Sequence, residues 1–327
     1  MRTRKKRPIL LVSKQAIQNA STLENLNKYF NISEITDDIW ANSSLISKAE
    51  YLWIHFDFVL SDSVLKMLPN CKLVLTTTTG LTHISESAKS SLGDRLVSLT
   101  KFRDELMKVT STAELALSFL FHSQLALDAI FTEVRSGLWS RESHLRQRQI
   151  SSLKVGVVGL GRLGGLFAAT VSGLGAQVYF CEVDTNKIVE GTNSGYIHIN
   201  SVGELCEISD VVSIHANVTD ERSQIVTREI LNRINTSFIL INTSRSALVD
   251  ENAIVTAIRS GTISKYYADV LGVEDENKSL HESVIWKESQ SNNQIFLTPH
   301  IGGATIESMD YCENLLFNEL IRHLDFQ

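Results

Sequence analysis

The chain has 327 residues, 43% of them hydrophobic and 21% charged, an ordinary globular composition with length enough for about two domains. Its formal net charge of -6 gives no overall basic field, so nucleic acid and anionic membrane surfaces are set aside as partners. Cys71, Cys181, Cys206 and Cys312 stand far apart with no Cys-x-x-Cys pair, which argues against a disulfide framework and a zinc site; no metal is expected, and a reducing cytoplasm fits best.

Arg2, Arg4, Lys5, Lys6 and Arg7 form a basic cluster before Pro8, read as a solvated end rather than a targeting or nucleic-acid-binding tail. The apolar run Ile9 to Val12 is too short for a signal-peptide core, and no apolar stretch reaches the roughly 18 residues of a membrane span, so a soluble protein is expected. Tyr51 to Ile54, Leu73 to Leu75 and Leu96 to Leu99 repeat that pattern at spacings that leave room for helices. This is the βαβ rhythm of a parallel sheet and places a first α/β unit over about residues 1 to 100. Thr110 to Phe121 reads as a connecting helix, with Thr110, Ser111 or Thr112 as cap and Glu114, Leu115, Leu117 and Leu120 in its body. After the polar stretch Ser140 to Gln149 a second series of strands is expected at Val155 to Val158, Gln177 to Cys181, Val211 to His215, Phe238 to Ile241, Tyr266 to Val270 and Ile295 to Leu297. Two sheets imply a cleft.

Gly159, Gly161 and Gly164 form Gly-x-Gly-x-x-Gly, with Arg162 and Leu163 between the last two, directly after the run Val155 to Val158 and before a helical segment Gly165 to Leu174. Glycines there permit a tight turn and close backbone approach to a pyrophosphate, whose charge then sits on the helix N-terminus. The next strand ends in Glu182, eighteen residues beyond Gly164 (182 − 164), where a carboxylate accepts from the ribose hydroxyls and repels a 2′-phosphate. The expected cofactor is therefore NAD rather than NADP.

From Thr76 to His300 the sequence resembles the D-2-hydroxyacid dehydrogenase family. The matching segments are Thr-Thr-Gly-Leu-Thr-His-Ile at 78 to 84, Gly-Leu-Gly-Arg-Leu-Gly at 159 to 164 and Ser-Asp-Val-Val-Ser-Ile-His at 209 to 215. They continue with Ile-Asn-Thr-Ser-Arg at 241 to 245, Asp-Val-Leu at 269 to 271 with Glu274, and Thr-Pro-His-Ile-Gly-Gly-Ala-Thr at 298 to 305. The resemblance implies an α/β fold of two parallel-sheet domains, Rossmann-like and flavodoxin-like, separated by a cleft. Residues 1–104 plus 301–327 would form the flavodoxin-like substrate-binding domain and residues 105–300 the NAD-binding Rossmann domain.

It also implies interconversion of a 2-keto acid and a D-2-hydroxy acid, with Arg245, Glu274 and His300 as the catalytic set. A planar guanidinium at 245 can pair with the substrate carboxylate while polarising the ketone. His300 would give a proton to the oxygen in reduction and take it back in oxidation, while Glu274 fixes its tautomer and favours the imidazolium. Thr79, Gly80 and Leu81 would supply backbone donors to the substrate carboxylate, which Arg245 also binds. The expected cofactor contacts, besides the glycine loop and Glu182, are His215, Ala216, Asn217, Thr243, Ser244, Asp269 and Gly302. Asp269 is expected to accept from the nicotinamide carboxamide, and His215 and His83 are not read as acid–base groups. The apolar helix Ala113 to Leu127, with Gly137, Leu138 and Trp139, implies a homodimer.

Departures from the family pattern are Ser246 where glycine is usual, Asp275 where proline is common and His55 where an arginine is frequent. They bear on substrate identity, as do the loop Thr100 to Asp104 and the long polar linker Asp275 to Asn293 with Trp286. The rival reading is an NAD-sensing, corepressor-like binding protein on the same fold. Such proteins are expected to carry long disordered tails, whereas this chain ends at Gln327 just after a helix. A formate dehydrogenase fits less well, since its relatives pair the histidine with an amide rather than a carboxylate.

Overall fold

The computed structural model describes residues 7–36, 42–125, 127–145, 147–217, 224–275 and 278–325; the basic residues Arg2, Arg4, Lys5 and Lys6 lie outside them. The chain divides into two compact units, Met1–Val109 with Thr305–Gln327, and Thr110–Ala304.

The first unit is built on β1 (Ile9–Val12), β2 (Asn31–Glu34), β3 (Ala49–Ile54), β4 (Leu73–Thr76) and β5 (Leu96–Ser98). All are parallel, in the order β2-β1-β3-β4-β5. Alternate residues feed opposite cores: Leu10, Val12, Tyr51 and Trp53 pack on one face, Leu11, Leu52, Ile54 and Val74 on the other. A strand covered on both faces has no polar position, which is why these strands read as continuous apolar runs. The edge strand β2, Asn-Ile-Ser-Glu with no buried residue, carries no such signal and is absent from the sequence reading. Leu99, expected in β5, instead opens the 3-10 turn Leu99–Phe102, because pairing with β4 ends at Ser98.

The helix Ile306–Asp325 belongs to this unit. Cys312, Leu316 and Leu320 lie on one stripe and join the core of Leu10, Tyr51 and Trp53. Burial of each leucine is worth about 2 kcal/mol. Beside them Glu313, 2% exposed, accepts from the backbone N–H of Gln18 at 2.7 Å and of Asn19 at 3.2 Å, which ties the helix to the turn after β1.

The second unit carries β6 (Lys154–Val158), β7 (Gln177–Cys181), β8 (Ile197–His198), β9 (Val211–Ile214), β10 (Phe238–Asn242), β11 (Ile263–Ala268) and β12 (Ile295–Leu297). They form one parallel sheet ordered β12-β11-β10-β9-β6-β7-β8. Helices cover both faces. The helix Ser111–Leu125 buries Ala116, Phe119 and Leu120 against Val155, Val157 and Phe167 of one face. The strand expected to reach Val270 stops at Ala268, where Asp269 N–H bonds Asn242 O at 3.0 Å and the chain turns out of the sheet. The helix expected from Gly165 starts at Arg162, because Gly161 is its N-cap and the end of the glycine motif forms its first turn. The linker after Asp275 is largely helical in its described part, with the turn Leu280–Glu282 closed by a capping box to Ser279 and the helix Val284–Ser289 anchored by buried Ile285. No single helix among the described residues is long and apolar enough to cross a membrane.

Candidate active site

The nominated residues of the second unit share one edge of one sheet. Gly159 follows β6, Glu182 follows β7, His215 follows β9, Thr243 to Arg245 follow β10, Asp269 follows β11 and His300 lies beyond β12. This is the carboxyl edge of the strands, where open α/β sheets bind ligands, and the strand order reverses between β6 and β9.

The glycine loop is shaped by contacts that exclude side chains. Gly159 has φ 86°, and a Cβ on it would lie 2.7 Å from Ala216 N and Cα. A Cβ on Gly164 would lie 2.0 Å from Gly159 O, so this glycine lets the helix start against the strand. Gly161 differs: its nearest neighbour is Lys187 Nζ at 3.7 Å from the Cβ position, and its φ of -71° suits any residue. The open space at Gly161, the N-cap of a twelve-residue helix, suits a pyrophosphate. Lys187, which the sequence reading missed, adds a cation beside that loop. Its position in a helix past Glu182 gives no signal without the fold.

Glu182 Oε2 accepts from Leu160 N–H at 2.7 Å, and Oε1 accepts from Val183 and Asp184 N–H at 2.8 and 3.1 Å. Burial acts to raise this carboxyl, but the Asp184, Leu160 and Val183 donors together bring it below its ordinary value. It stays ionised and retains acceptor capacity for a ribose hydroxyl. His215 is half-buried, bonds Ser213 Oγ through Nε2 at 2.9 Å and is pushed down to about 4 by desolvation, so its ring is neutral near pH 7. Ala216 and Asn217 continue that loop, and Ser244 Oγ donates to Ala216 O at 2.5 Å. Thr243 Oγ1 is a buried hydroxyl with no partner, a donor or acceptor suited to a ligand on this edge. The orphan Thr243 hydroxyl, the open backbone at Gly161 and the ionised Glu182 together fit a dinucleotide.

Fully buried Asn242 shapes the loop that carries Arg245. Its Oδ1 accepts from Ser244 N–H at 3.1 Å and its Nδ2 donates to Arg245 O at 2.9 Å. The half-buried Arg245 guanidinium donates to Ser244 O at 2.7 Å. Ser246 is buried and opens the 3-10 turn Ser246–Leu248, so the hydroxymethyl group that replaces the usual glycine is packed inside. His300 Nδ1 and Glu274 Oε2 are 2.6 Å apart, and Glu274 Oε1 accepts from Leu271 N–H at 2.9 Å. Asp269 is 1% exposed, and its carboxylate accepts from Thr298 Oγ1, Ile301 N–H and Gly302 N–H.

In the first unit Thr79, Gly80 and Leu81 form the loop after β4. Thr78 Oγ1 donates to Gly80 O at 2.7 Å, and Thr76 Oγ1 lies 2.9 Å from Thr78 Oγ1 and 3.1 Å from His83 Nε2. His83 is pushed down to about 4 by burial first, then by His55 and Lys89. His55 follows β3, where its N–H bonds Ser13 Oγ, and Asp57 accepts from Ser13 Oγ at 2.8 Å.

Residues 117–302 match the family model described as D-isomer specific 2-hydroxyacid dehydrogenase, NAD binding domain. The D-3-phosphoglycerate dehydrogenase of Mycobacterium leprae is 28% identical over 267 residues, covering 81% of this chain and 47% of that protein, so the chain spans about half the length of that relative. A glyoxylate/hydroxypyruvate reductase of Arabidopsis thaliana is 27% identical over 253 residues, covering 77% of this chain and 72% of the reductase. Among solved structures, the D-lactate dehydrogenase of Aquifex aeolicus complexed with NAD and lactic acid superposes with a TM-score of 0.82 at 21% identity, covering 97% and 95% of the two chains. At that identity the likeness is one of fold.

Proposed function

Because the chain belongs to the D-isomer specific 2-hydroxyacid dehydrogenase family, we propose that it is an NAD-dependent enzyme interconverting a 2-keto acid and a D-2-hydroxy acid. The observation that carries this reading is the 2.6 Å pair of His300 and Glu274 on the same sheet edge as the glycine loop and Glu182. When bound, the reduced cofactor supplies the hydride that the substrate's C2 receives. Arg245 pairs with the substrate carboxylate and polarises the ketone, so the charge that develops on oxygen meets a fixed cation. His300, held through Nδ1 by Glu274, delivers a proton from Nε2 to that oxygen and recovers it in the oxidative direction. We extend the proposal to Thr79, Gly80 and Leu81, whose backbone N–H groups would serve as donors to a substrate carboxylate.

The test is NADH oxidation against phosphohydroxypyruvate, hydroxypyruvate, glyoxylate and pyruvate. Turnover of at least one supports the reading. NADH binding with no turnover of any 2-keto acid refutes it in favour of a cofactor-sensing protein.

We also propose a homodimer. The helix Leu127–Arg135 buries none of its described residues, and Phe121, Leu127, Phe131, Val134 and Leu138 leave 40–50% of their surface exposed, with Trp139 at 88%. Such a contiguous apolar face is normally covered, and a second copy is the proposed cover. Sedimentation at the 36.5 kDa of one chain at micromolar concentration would remove this part of the proposal. Four free thiols, three of them buried, support a reducing compartment, here taken as the cytoplasm.

A further inference from the structure

Resting on the dehydrogenase reading, we propose that His83 is a positioning residue for substrate binding: as the Nε2–H tautomer it heads a one-way relay of hydrogen bonds that turns the Leu81 N–H outward to a substrate carboxylate. The relay runs from His83 Nε2 to Thr76 Oγ1 over 3.1 Å, on to Thr78 Oγ1 over 2.9 Å, and ends at Gly80 O, 2.7 Å away. Its direction follows from its last member. A carbonyl oxygen only accepts, so the single hydroxyl hydrogen of Thr78 is spent on Gly80 O. Thr78 Oγ1 must then accept from Thr76, whose own hydrogen is thereby used, and Thr76 Oγ1 in turn accepts from the ring. His83 Nε2 therefore carries the hydrogen. Nδ1 is left as a bare lone pair, and it is the buried ring nitrogen that has no hydrogen-bond partner. A hydrogen at Nδ1 would bury a donor with nothing to receive it.

The effect of the relay is set by peptide geometry. The C=O of one residue and the N–H of the next lie on opposite sides of a trans peptide, and no peptide among the described residues is cis. Thr76, Thr78 and His83 are 0%, 4% and 5% exposed, so the Gly80 carbonyl that they draw in faces the interior. The Leu81 N–H must face the other way, where Gly80 and Leu81 are half-exposed beyond the end of β4. Both ends of the loop are fixed from elsewhere. Thr76 closes β4, while His83 O accepts from Leu60 N–H at 2.8 Å and the imidazole stands T-shaped to the Phe56 ring, 5.0 Å between centroids. Between those anchors the relay sets which way the peptide joining Gly80 to Leu81 turns.

Thr78→Val keeps the side-chain shape and removes both bonds of Thr78, His83→Leu removes the donor at the head, and His83→Gln restores it, because a glutamine Nε2 reaches about as far as the imidazole Nε2. In the wild type, long-range proton–nitrogen NMR should show His83 with hydrogen on Nε2 and a bare Nδ1, assigned by loss of the signals in His83→Gln. The Leu81 amide signal should move in Thr78→Val and His83→Leu and stay in place in His83→Gln. With the keto acid that is turned over, KM should rise about 5- to 30-fold in the first two variants, with kcat and the NADH dissociation constant within about threefold of wild type, and His83→Gln should recover most of that KM. A bare Nε2 overturns the proposal, since Thr76 must then donate to the ring and no longer to Thr78. So does a lower Tm in Thr78→Val with KM and the Leu81 signal unmoved, which is the mark of packing alone. The NMR arms need no turnover, so failure to find any keto-acid substrate would sink the enzyme reading while they still decide the relay.

Discussion

Gly161→Ala and Gly164→Ala place the same methyl group three residues apart, and the structure assigns them opposite consequences. At Gly164 the new Cβ would sit 2.0 Å from Gly159 O, and the obstacle is main chain. The helix Arg162–Gly173 would have to back away by roughly 1 Å, against a face where Phe167, Ala168 and Val171 are fully buried. Overpacking of this kind costs about 1–3 kcal/mol, or roughly 3–10 °C of Tm for a unit of this size. At Gly161 the methyl meets only the end of the Lys187 side chain at 3.7 Å, and a φ of -71° suits alanine, so the fold loses at most about 1 kcal/mol from the poorer N-cap. The methyl does project over the N–H groups that would hold the pyrophosphate. Loss of one charge-assisted hydrogen bond, about 1.5–3 kcal/mol, weakens NADH binding roughly 10- to 150-fold. Thermal melting and NADH fluorescence titration on both variants separate the effects. Wild-type NADH affinity in Gly161→Ala would show that the loop is merely a packing turn.

Glu182→Ala should narrow the preference for NAD over NADP by about tenfold, the worth of one charge-assisted contact, and comparable use of both cofactors by the wild type would sink the ribose assignment. His300→Ala should lower kcat by about two to four orders of magnitude with NADH binding nearly unchanged. Arg245→Ala should damage kcat and KM together, with only partial rescue in Arg245→Lys, whose ammonium lacks the planar fork. Stability should fall in mild acid: burial holds His83 and His215 at about 4, below their value in the unfolded chain. Each therefore contributes stability that is complete above about pH 6.5 and is lost as pH falls toward 4, about 3 kcal/mol apiece. Melting followed from pH 7 to 4.5 should show a flatter slope in His215→Gln, and an unchanged slope would refute the assignment.

Much of the fold is legible in the sequence because parallel strands buried on both faces have no polar position to interrupt the run, as in Leu10, Leu11 and Val12. The strands that escape are two of the four edge strands, β2 and β8, which bury little and owe their existence to neighbours far along the chain. The glycine loop and Glu182 are legible for a related reason: close approach and charge leave residue types that few other pressures select. The supports of the site are not. Asn242 inside Ile-Asn-Thr-Ser-Arg reads as the end of a strand, and only the folded loop shows its amide bonded both ahead to Ser244 and to Arg245. The left-handed turn at His300 is likewise invisible, since it follows from bonds to a residue about thirty positions away.

The helix Ile306–Asp325 has a consequence for the order in which this protein assembles during its own synthesis. All of the second unit's core is available once Ala304 has been made, so that unit can close while the remaining residues are still being added. The first unit, begun earlier, cannot: the face bearing Leu10, Tyr51 and Trp53 stays uncovered until Leu316 and Leu320 emerge. Its exposed apolar face must wait for nearly two hundred intervening residues, from Thr110 to Ala304. Of the two units, the one begun earlier is thus the later to be finished, and during that interval it is the more open of the two to aggregation and the more in need of a chaperone.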